Sequence, residues 1–224
     1  MAKRSFAVIG LGRFGSAMAT TLAELGHEVI GIDSDEEKVA RLSDVVSQAV
    51  QLDATDEKAI KAAGIQDVDV AVISIGENIE SSLLVAMLVK DLGIPTIVAK
   101  AITPLHGRIL ERLGVSRVIF PERDMGVRVA HSLVVPNVLD YIELSRDFSI
   151  VEMPAPPEFV GRTLKELALR PKYGLTLIAI KRAKAEGETT NVAPAAEERI
   201  EEGDVLSLLG PNERVSQLDA LLRK

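Results

Sequence analysis

The chain has 224 residues, with 26 Lys and Arg against 33 Asp and Glu, a net charge of -7 and no cysteine. That length can bury one large core or two small ones. The charge balance gives no dominant basic patch for duplex nucleic acid, and the lack of thiols excludes disulfides, thiolate metal sites and thiol catalysis.

The opening Met1-Ala2-Lys3-Arg4 resembles the start of a secretory signal, but the apolar stretch after it breaks at Gly10, Gly12 and Arg13 and offers no cleavage site. The longest apolar run, Leu83 to Val89, is far short of the roughly 20 residues of a membrane span. The expectation is a cytoplasmic protein that reaches a membrane only through a partner.

The first strand, Phe6-Ala7-Val8-Ile9, runs directly into Gly10-Leu11-Gly12-Arg13-Phe14-Gly15. In this spacing the first glycine permits a tight turn out of the strand. The second lets the backbone approach a diphosphate, and the third lets the following helix pack closely. Arg13 inside the loop would lie against phosphates drawn to the helix N-terminus, so the loop can sense phosphate number. A plain glycine turn is the simpler alternative. Apolar residues at Met18, Leu22 and Leu25 continue the helix to Gly26. A second strand over 28–32 then ends in Asp33, near the roughly twenty-residue offset at which a carboxylate accepts from a ribose diol. Asp33, with no arginine in the following Ser34-Asp35-Glu36-Glu37, argues against a 2′-phosphorylated ligand.

Helices expected over 36–42, 57–63, 79–92 and 105–113 alternate with strands over 49–52, 69–75, 96–99 and 117–120. Six such strands place the chain in the α/β class, as a Rossmann-like doubly wound parallel sheet of order 3-2-1-4-5-6. Ligands of these sheets lie beyond the carboxyl ends of the strands. Those ends are Gly10 to Gly15, Asp33 to Asp35, Asp53-Ala54-Thr55, Ile75-Gly76-Glu77-Asn78 and Lys100-Ala101. Asp53 can meet an adenine amino group or cap the next helix. Gly76 can admit a base or ribose or serve as a strand-exit turn, and Lys100 can meet a ligand or solvent. His27 and His131 read as structural or solvated, while His106 at a helix start can reach a phosphate or a neighbouring subunit.

Pro121-Glu122-Arg123-Asp124-Met125-Gly126 opens a further helix, apolar at Val127, Val129, Ala130, Leu133 and Val134. That stripe packs against either another subunit or its own chain. From Phe148 the pattern is a strand, a proline-rich turn, a helix over 164–169, a strand over 175–181, a polar loop, a strand over 205–209 and a helix over 215–222. The expected organisation is an N-lobe over 1–120, a crossover helix and linker over 121–144, and a small α+β C-lobe over 145–224. No acid or base in that last module is placed to serve a dehydrogenase, and no GxxxxGK[ST] loop is present, which favours a sensor over an enzyme.

Five stretches, taken together, resemble one family. They are Ile9 to Gly15, Gly31-Ile-Asp-Ser-Asp-Glu-Glu-Lys-Val, Ala71-Val-Ile-Ser-Ile-Gly, Pro121-Glu-Arg-Asp-Met-Gly, and the tail Lys172 to Lys181 with Glu202-Gly-Asp-Val-Leu. The family is that of the cytosolic RCK regulators of bacterial potassium uptake, of TrkA/KtrA type. The resemblance implies a regulatory subunit, not an enzyme, peripheral on the inner face of the membrane. It implies a homo-octameric ring docked on a potassium-translocating membrane subunit of KtrB/TrkH type. ATP would favour the conducting state and ADP the inactive one, with NAD and NADH as further ligands. Arg13 matches the position at the terminal phosphates, Asp33 and Asp35 the ribose side, and Asp53 with Ala54 the base-side turn. Ile75, Gly76, Glu77, Lys100 and His106 match further pocket positions. Glu122 matches a glutamate that works with a divalent cation at the terminal phosphates, in such rings from the adjacent subunit; a plain helix N-terminal acid is its alternative. Cyclic di-AMP at the C-lobe, near Arg170, is a further implied ligand. A NAD(H)-dependent oxidoreductase and a regulator of a different channel or antiporter stay open as alternatives.

Overall fold

The computed structural model describes residues 2–76, 78–134, 137–184 and 187–219. They fall into two compact units, Met1–Pro121 and Glu122–Lys224.

In the first unit, short stretches with apolar centres form β1 (Ser5–Ile9), β2 (Glu28–Asp33), β3 (Gln48–Gln51), β4 (Val70–Ile73) and β5 (Thr96–Lys100), with the shorter β6 (Arg117–Ile119). They make one sheet in the order β3-β2-β1-β4-β5-β6. Every pairing is parallel. The central strands are apolar on both sides because both faces are covered. Val8 packs with Ala19 of α1 (Arg13–Glu24) and Leu42 of α2 (Glu36–Leu42). Ala7 and Ile9 point the other way, into a core with Ile60 of α3 (Glu57–Ala62), Val85 of α4 (Ile79–Asp91) and Leu110 of α5 (Pro104–Arg112). The helices therefore wind in opposite senses from β1 and β4. Ile9 stands in register with both Ile32 and Ile73, so the carboxyl ends of β2, β1 and β4 lie level at that switch point.

The second unit begins with α6 (Pro121–Val134), followed by β7 (Asp140–Glu143), β8 (Phe148–Pro154), α7 (Leu164–Leu167), α8 (Leu169–Tyr173), β9 (Thr176–Lys184), β10 (Gly187–Val192), β11 (Val205–Pro211) and α9 (Asn212–Asp219). Its antiparallel sheet runs β10-β9-β11-β8-β7 around a core that includes Val151, Met153, Phe159, Leu167, Leu206, Leu208 and Leu218. Two strands depart from the sequence expectation. The polar loop contains β10, exposed at every residue and held by its ladder to β9. The stretch expected as a linker contains β7, a four-residue edge strand with Tyr141 as its buried member. The expected helix over 164–169 is broken by Ala168, which takes a left-handed φ of 48°.

A buried ion pair holds the β9–β11 end of this sheet. Arg182 reaches both oxygens of the fully buried Asp204, at 2.7 and 2.8 Å, and Glu201 N–H donates to the same carboxylate at 2.8 Å. Burial alone would raise the Asp204 carboxyl, but the Arg182 hydrogen bonds and the Glu201 amide outweigh it and hold the group below its ordinary range. Arg182→Met leaves that charge uncompensated. The expected cost is about 3–5 kcal/mol, read as a lower urea midpoint. An unchanged midpoint would show that the pair contributes little.

Candidate nucleotide-binding site

The turn from β1 into α1 contains glycines with different reasons to be there. Gly10 has φ +95°, and a Cβ on it would come within 3.0 Å of the Ser74 carbonyl carbon. A Cβ on Gly15 would stand 1.9 Å from the Gly10 carbonyl oxygen, so glycine is what lets α1 close onto the turn. Gly12 is unlike both: its φ is -67° and a Cβ there would meet no atom within 4 Å. Among the described residues nothing requires glycine at position 12.

The helix that follows Gly12 is also unusual among its neighbours. Asp35 caps α2, Asp56 caps α3, Asn78 caps α4 and Thr103 caps α5, each accepting from backbone N–H groups of the first turn. Helix α1 has no side-chain cap and no acid in its first turn. Its first helical bond is donated by Ser16 to Gly12 O at 2.8 Å. The N–H groups of Arg13, Phe14 and Gly15 therefore project from an uncapped, partially positive helix end. Arg13 is exposed beside them, and its guanidinium has no hydrogen bond or ion pair among the described residues. Phe14 is half-buried.

Asp33, at the end of β2, is joined to this loop. Its Oδ2 accepts from Leu11 N–H at 2.7 Å and its Oδ1 from Asp35 N–H at 2.9 Å, with the side chain 9% exposed. Asp35 serves as the α2 cap, accepting from Glu37 N–H at 2.9 Å, and Ser34 is exposed with its carbonyl accepting from Gln51. A residue not singled out from the sequence joins them: Lys38 Nζ lies 3.5 Å from Asp33 Oδ1 and 3.8 Å from Asp35 Oδ2. The readable signal was its i,i+3 spacing from Asp35 on a helix.

Beyond β3, Asp53 Oδ1 accepts from Thr55 N–H at 2.9 Å and from the Thr55 hydroxyl at 2.7 Å. Those bonds, the hydroxyl first, hold its carboxyl below the usual range. The capping role considered for Asp53 falls to Asp56, while Asp53 closes a local turn and stays exposed beside the buried Ala54. Past β4, Ile75 and Gly76 are half-buried, and a Cβ on Gly76 would come within 3.1 Å of Lys100 Nζ. The glycine thus lets the Lys100 side chain pass over it from the end of β5. Ala101 is fully buried, donating its N–H to Ile119 O at 2.9 Å. Glu77 lies outside the described residues.

His106 lies at the start of α5, as expected, but is buried there and not open to a phosphate or a neighbouring subunit. It is 1% exposed, its Nδ1 accepts from Ile102 N–H at 3.4 Å, and its Nε2 is buried without a partner. Burial lowers its pKa from 6.5, so the ring is neutral with the proton on Nε2 and presents no cation to a phosphate. A ring whose folded pKa is depressed contributes stability above its unfolded value of 6.5 that is lost as pH falls below it. His106→Asn keeps an acceptor for Ile102 N–H but cannot titrate. Thermal midpoints between about pH 7.5 and 5 are therefore expected to fall less in that variant than in the wild type. Equal slopes would remove His106 from the pH response.

In the second unit Glu122 and Asp124 are exposed in the first turn of α6. The α6 stripe is left uncovered, with Val127 43%, Val129 46% and Leu133 76% exposed. Arg128 pairs with Asp140 at 2.6 and 2.9 Å, and His131 stacks on Tyr141 at 4.3 Å. Arg170 is exposed on α8. Among the described residues no group of three or more His, Cys, Asp or Glu could hold a metal ion by itself.

Residues 6–121 match the TrkA-N domain and residues 148–223 match the TrkA-C domain. The chain is 42% identical over 217 residues to Ktr system potassium uptake protein C of Bacillus subtilis (strain 168), covering 97% of this chain and 96% of that protein. A structure of the GsuK channel bound to NAD superposes with a TM-score of 0.64 and 19% identity, over 99% of this chain and 40% of that one, a likeness of fold. The Kef CTD of Shewanella denitrificans in its AMP-bound form is 26% identical with a TM-score of 0.51, over 58% of this chain and 81% of that one. With both domains matched and a relative of equal length so similar, the chain belongs to the family built from a TrkA-N and a TrkA-C domain, that of the Ktr potassium uptake proteins.

Proposed function

We propose that this protein is the nucleotide-sensing regulatory subunit of a membrane potassium-uptake system, with ATP favouring the conducting state and ADP the inactive one. The observation that carries the reading is the uncapped N-terminus of α1, open above Gly12 and flanked by the exposed guanidinium of Arg13. Backbone N–H groups, the helix dipole and a guanidinium favour a polyphosphate at that point. Asp33 and Asp35 then stand on the ribose side and Asp53 with Ala54 and Thr55 on the base side, while Ile75, Gly76, Lys100 and Ala101 line the remaining strand ends. The full-length similarity to a Ktr potassium uptake protein supports the transport role, and the AMP-bound relative supports an adenine nucleotide as ligand. The same cleft suits NAD or NADH, which share the adenosine diphosphate half.

A divalent cation fits Glu122 only as a shared ligand, with the glutamate supplied by an adjacent subunit of the proposed ring. One carboxylate is a poor site alone, but phosphate oxygens complete a hard-cation shell, and the cation relieves repulsion between the two anions. The exposed α6 stripe supports self-association, in an octameric ring at the cytoplasmic face of its membrane partner. No helix among the described residues is long and apolar enough to cross a membrane. Arg170 is an exposed cation that a cyclic dinucleotide on the C-terminal unit could meet. A gate moved from mostly closed to mostly open needs about 5.5 kcal/mol of differential binding, which over eight subunits is under about 1 kcal/mol each.

Calorimetric titration with ATP, ADP, NAD and NADH, beside a mass measurement of the oligomer, tests this reading. Binding of ATP and ADP by an octamer supports it. Preferential NADH binding by a dimer contradicts it and favours an oxidoreductase.

A further inference from the structure

The acidic stretch after β2 folds so that a cation stands inside it. Lys38 lies on the first turn of α2, where its own amide is held by the Asp35 cap at 3.4 Å. Its ammonium is thereby placed 3.5 Å from Asp33 Oδ1 and 3.8 Å from Asp35 Oδ2, with the side chain 36% exposed. Asp33 is the more fixed partner, since Leu11 N–H and Asp35 N–H orient its two oxygens. The corner therefore presents two carboxylates and one ammonium, whereas Asp33 alone suggested an entirely acidic one.

This changes what the corner can distinguish. A ribose hydroxyl donates to a carboxylate and has no need of the ammonium. A phosphate on the ribose 2′-oxygen is repelled by Asp33 and Asp35 but attracted by Lys38. Both Lys38 contacts are long, so turning the ammonium towards a phosphate oxygen gives up weak interactions for a short charge-assisted one. We propose that Lys38 is the selectivity residue of the ribose corner, setting how strongly the site separates adenine nucleotides with a free 2′-hydroxyl from those phosphorylated there. The proposal rests on the nucleotide reading of the α1 loop given above.

The test uses the full-length protein, its Lys38→Met and Lys38→Arg variants, and two probes, AMP and adenosine 2′,5′-bisphosphate, followed by calorimetry. Lys38→Met is expected to leave AMP binding within about threefold and weaken the bisphosphate at least about tenfold, with Lys38→Arg restoring most of the loss. A thermal melt of each variant reports its folding. The proposal is overturned if Lys38→Met weakens both probes by the same factor, which would make Lys38 a general neutralising charge. It is equally overturned if the wild type binds AMP but no bisphosphate at about a hundredfold higher concentration. Failure of the wild type to bind AMP at all would instead defeat the nucleotide reading.

Discussion

Gly12→Val is expected to leave the chain folded and abolish nucleotide binding, while the smaller change Gly15→Ala is expected to damage the fold. At position 12 the φ of -67° suits any L-residue and a Cβ meets nothing within 4 Å. The cost is that of a poorer helix N-cap, about 1 kcal/mol, or a fall in thermal midpoint of roughly 2–4 °C. The isopropyl group occupies the space above the uncapped N–H groups, where the phosphates are proposed to sit, so affinity for ATP and ADP is expected to fall at least about a hundredfold. At position 15 the added Cβ stands 1.9 Å from the Gly10 carbonyl oxygen, so backbone must move. A cost of about 3 kcal/mol is expected, or roughly 6–12 °C. Wild-type affinity in a folded Gly12→Val protein would place the ligand elsewhere.

Arg13→Ala is expected to remove the distinction between ATP and ADP without touching stability. The side chain is exposed and makes no hydrogen bond or ion pair with a described residue, so its loss breaks none. A guanidinium on a terminal phosphate makes charge-assisted bonds of about 1.5–3 kcal/mol, so ATP affinity should fall about ten- to a hundredfold. ADP should lose less, because the γ-phosphate is the group proposed to lie against Arg13. An unchanged ratio of ATP to ADP affinity in this variant would assign phosphate counting to another residue.

The features most legible in the sequence were those with local causes. The strands of the parallel sheet read as continuous apolar runs because helices cover both of its faces, and the glycine turn announced itself because close backbone approach at Gly10 and Gly15 tolerates no side chain. What stayed hidden depended on folding distant or exposed residues together. Lys38 follows the acidic stretch in the sequence and becomes part of it only through the turn of α2. Asp53 and Asp56 look alike as helix caps, and the choice falls to Asp56 because Thr55 ties Asp53 into its own turn. His106 stands next to the Thr103-Pro104 helix start, a place usually open to solvent, yet the packing of α5 buries it. Strands β7 and β10 lie at the sheet edges, where few residues are buried and alternation is weak. The pairing of each with a neighbour, and not its own composition, makes it a strand.

A nucleotide at the N-terminus of α1 is proposed to control potassium movement through a membrane partner. The most direct measurement is potassium flux into vesicles carrying this protein and its co-purified membrane subunit, with ATP or ADP supplied on the face where the regulator is bound. Faster flux with ATP than with ADP, lost in Gly12→Val, is the result expected. Flux that is the same with ATP, with ADP and with neither would mean that nucleotide at α1 does not control the membrane subunit.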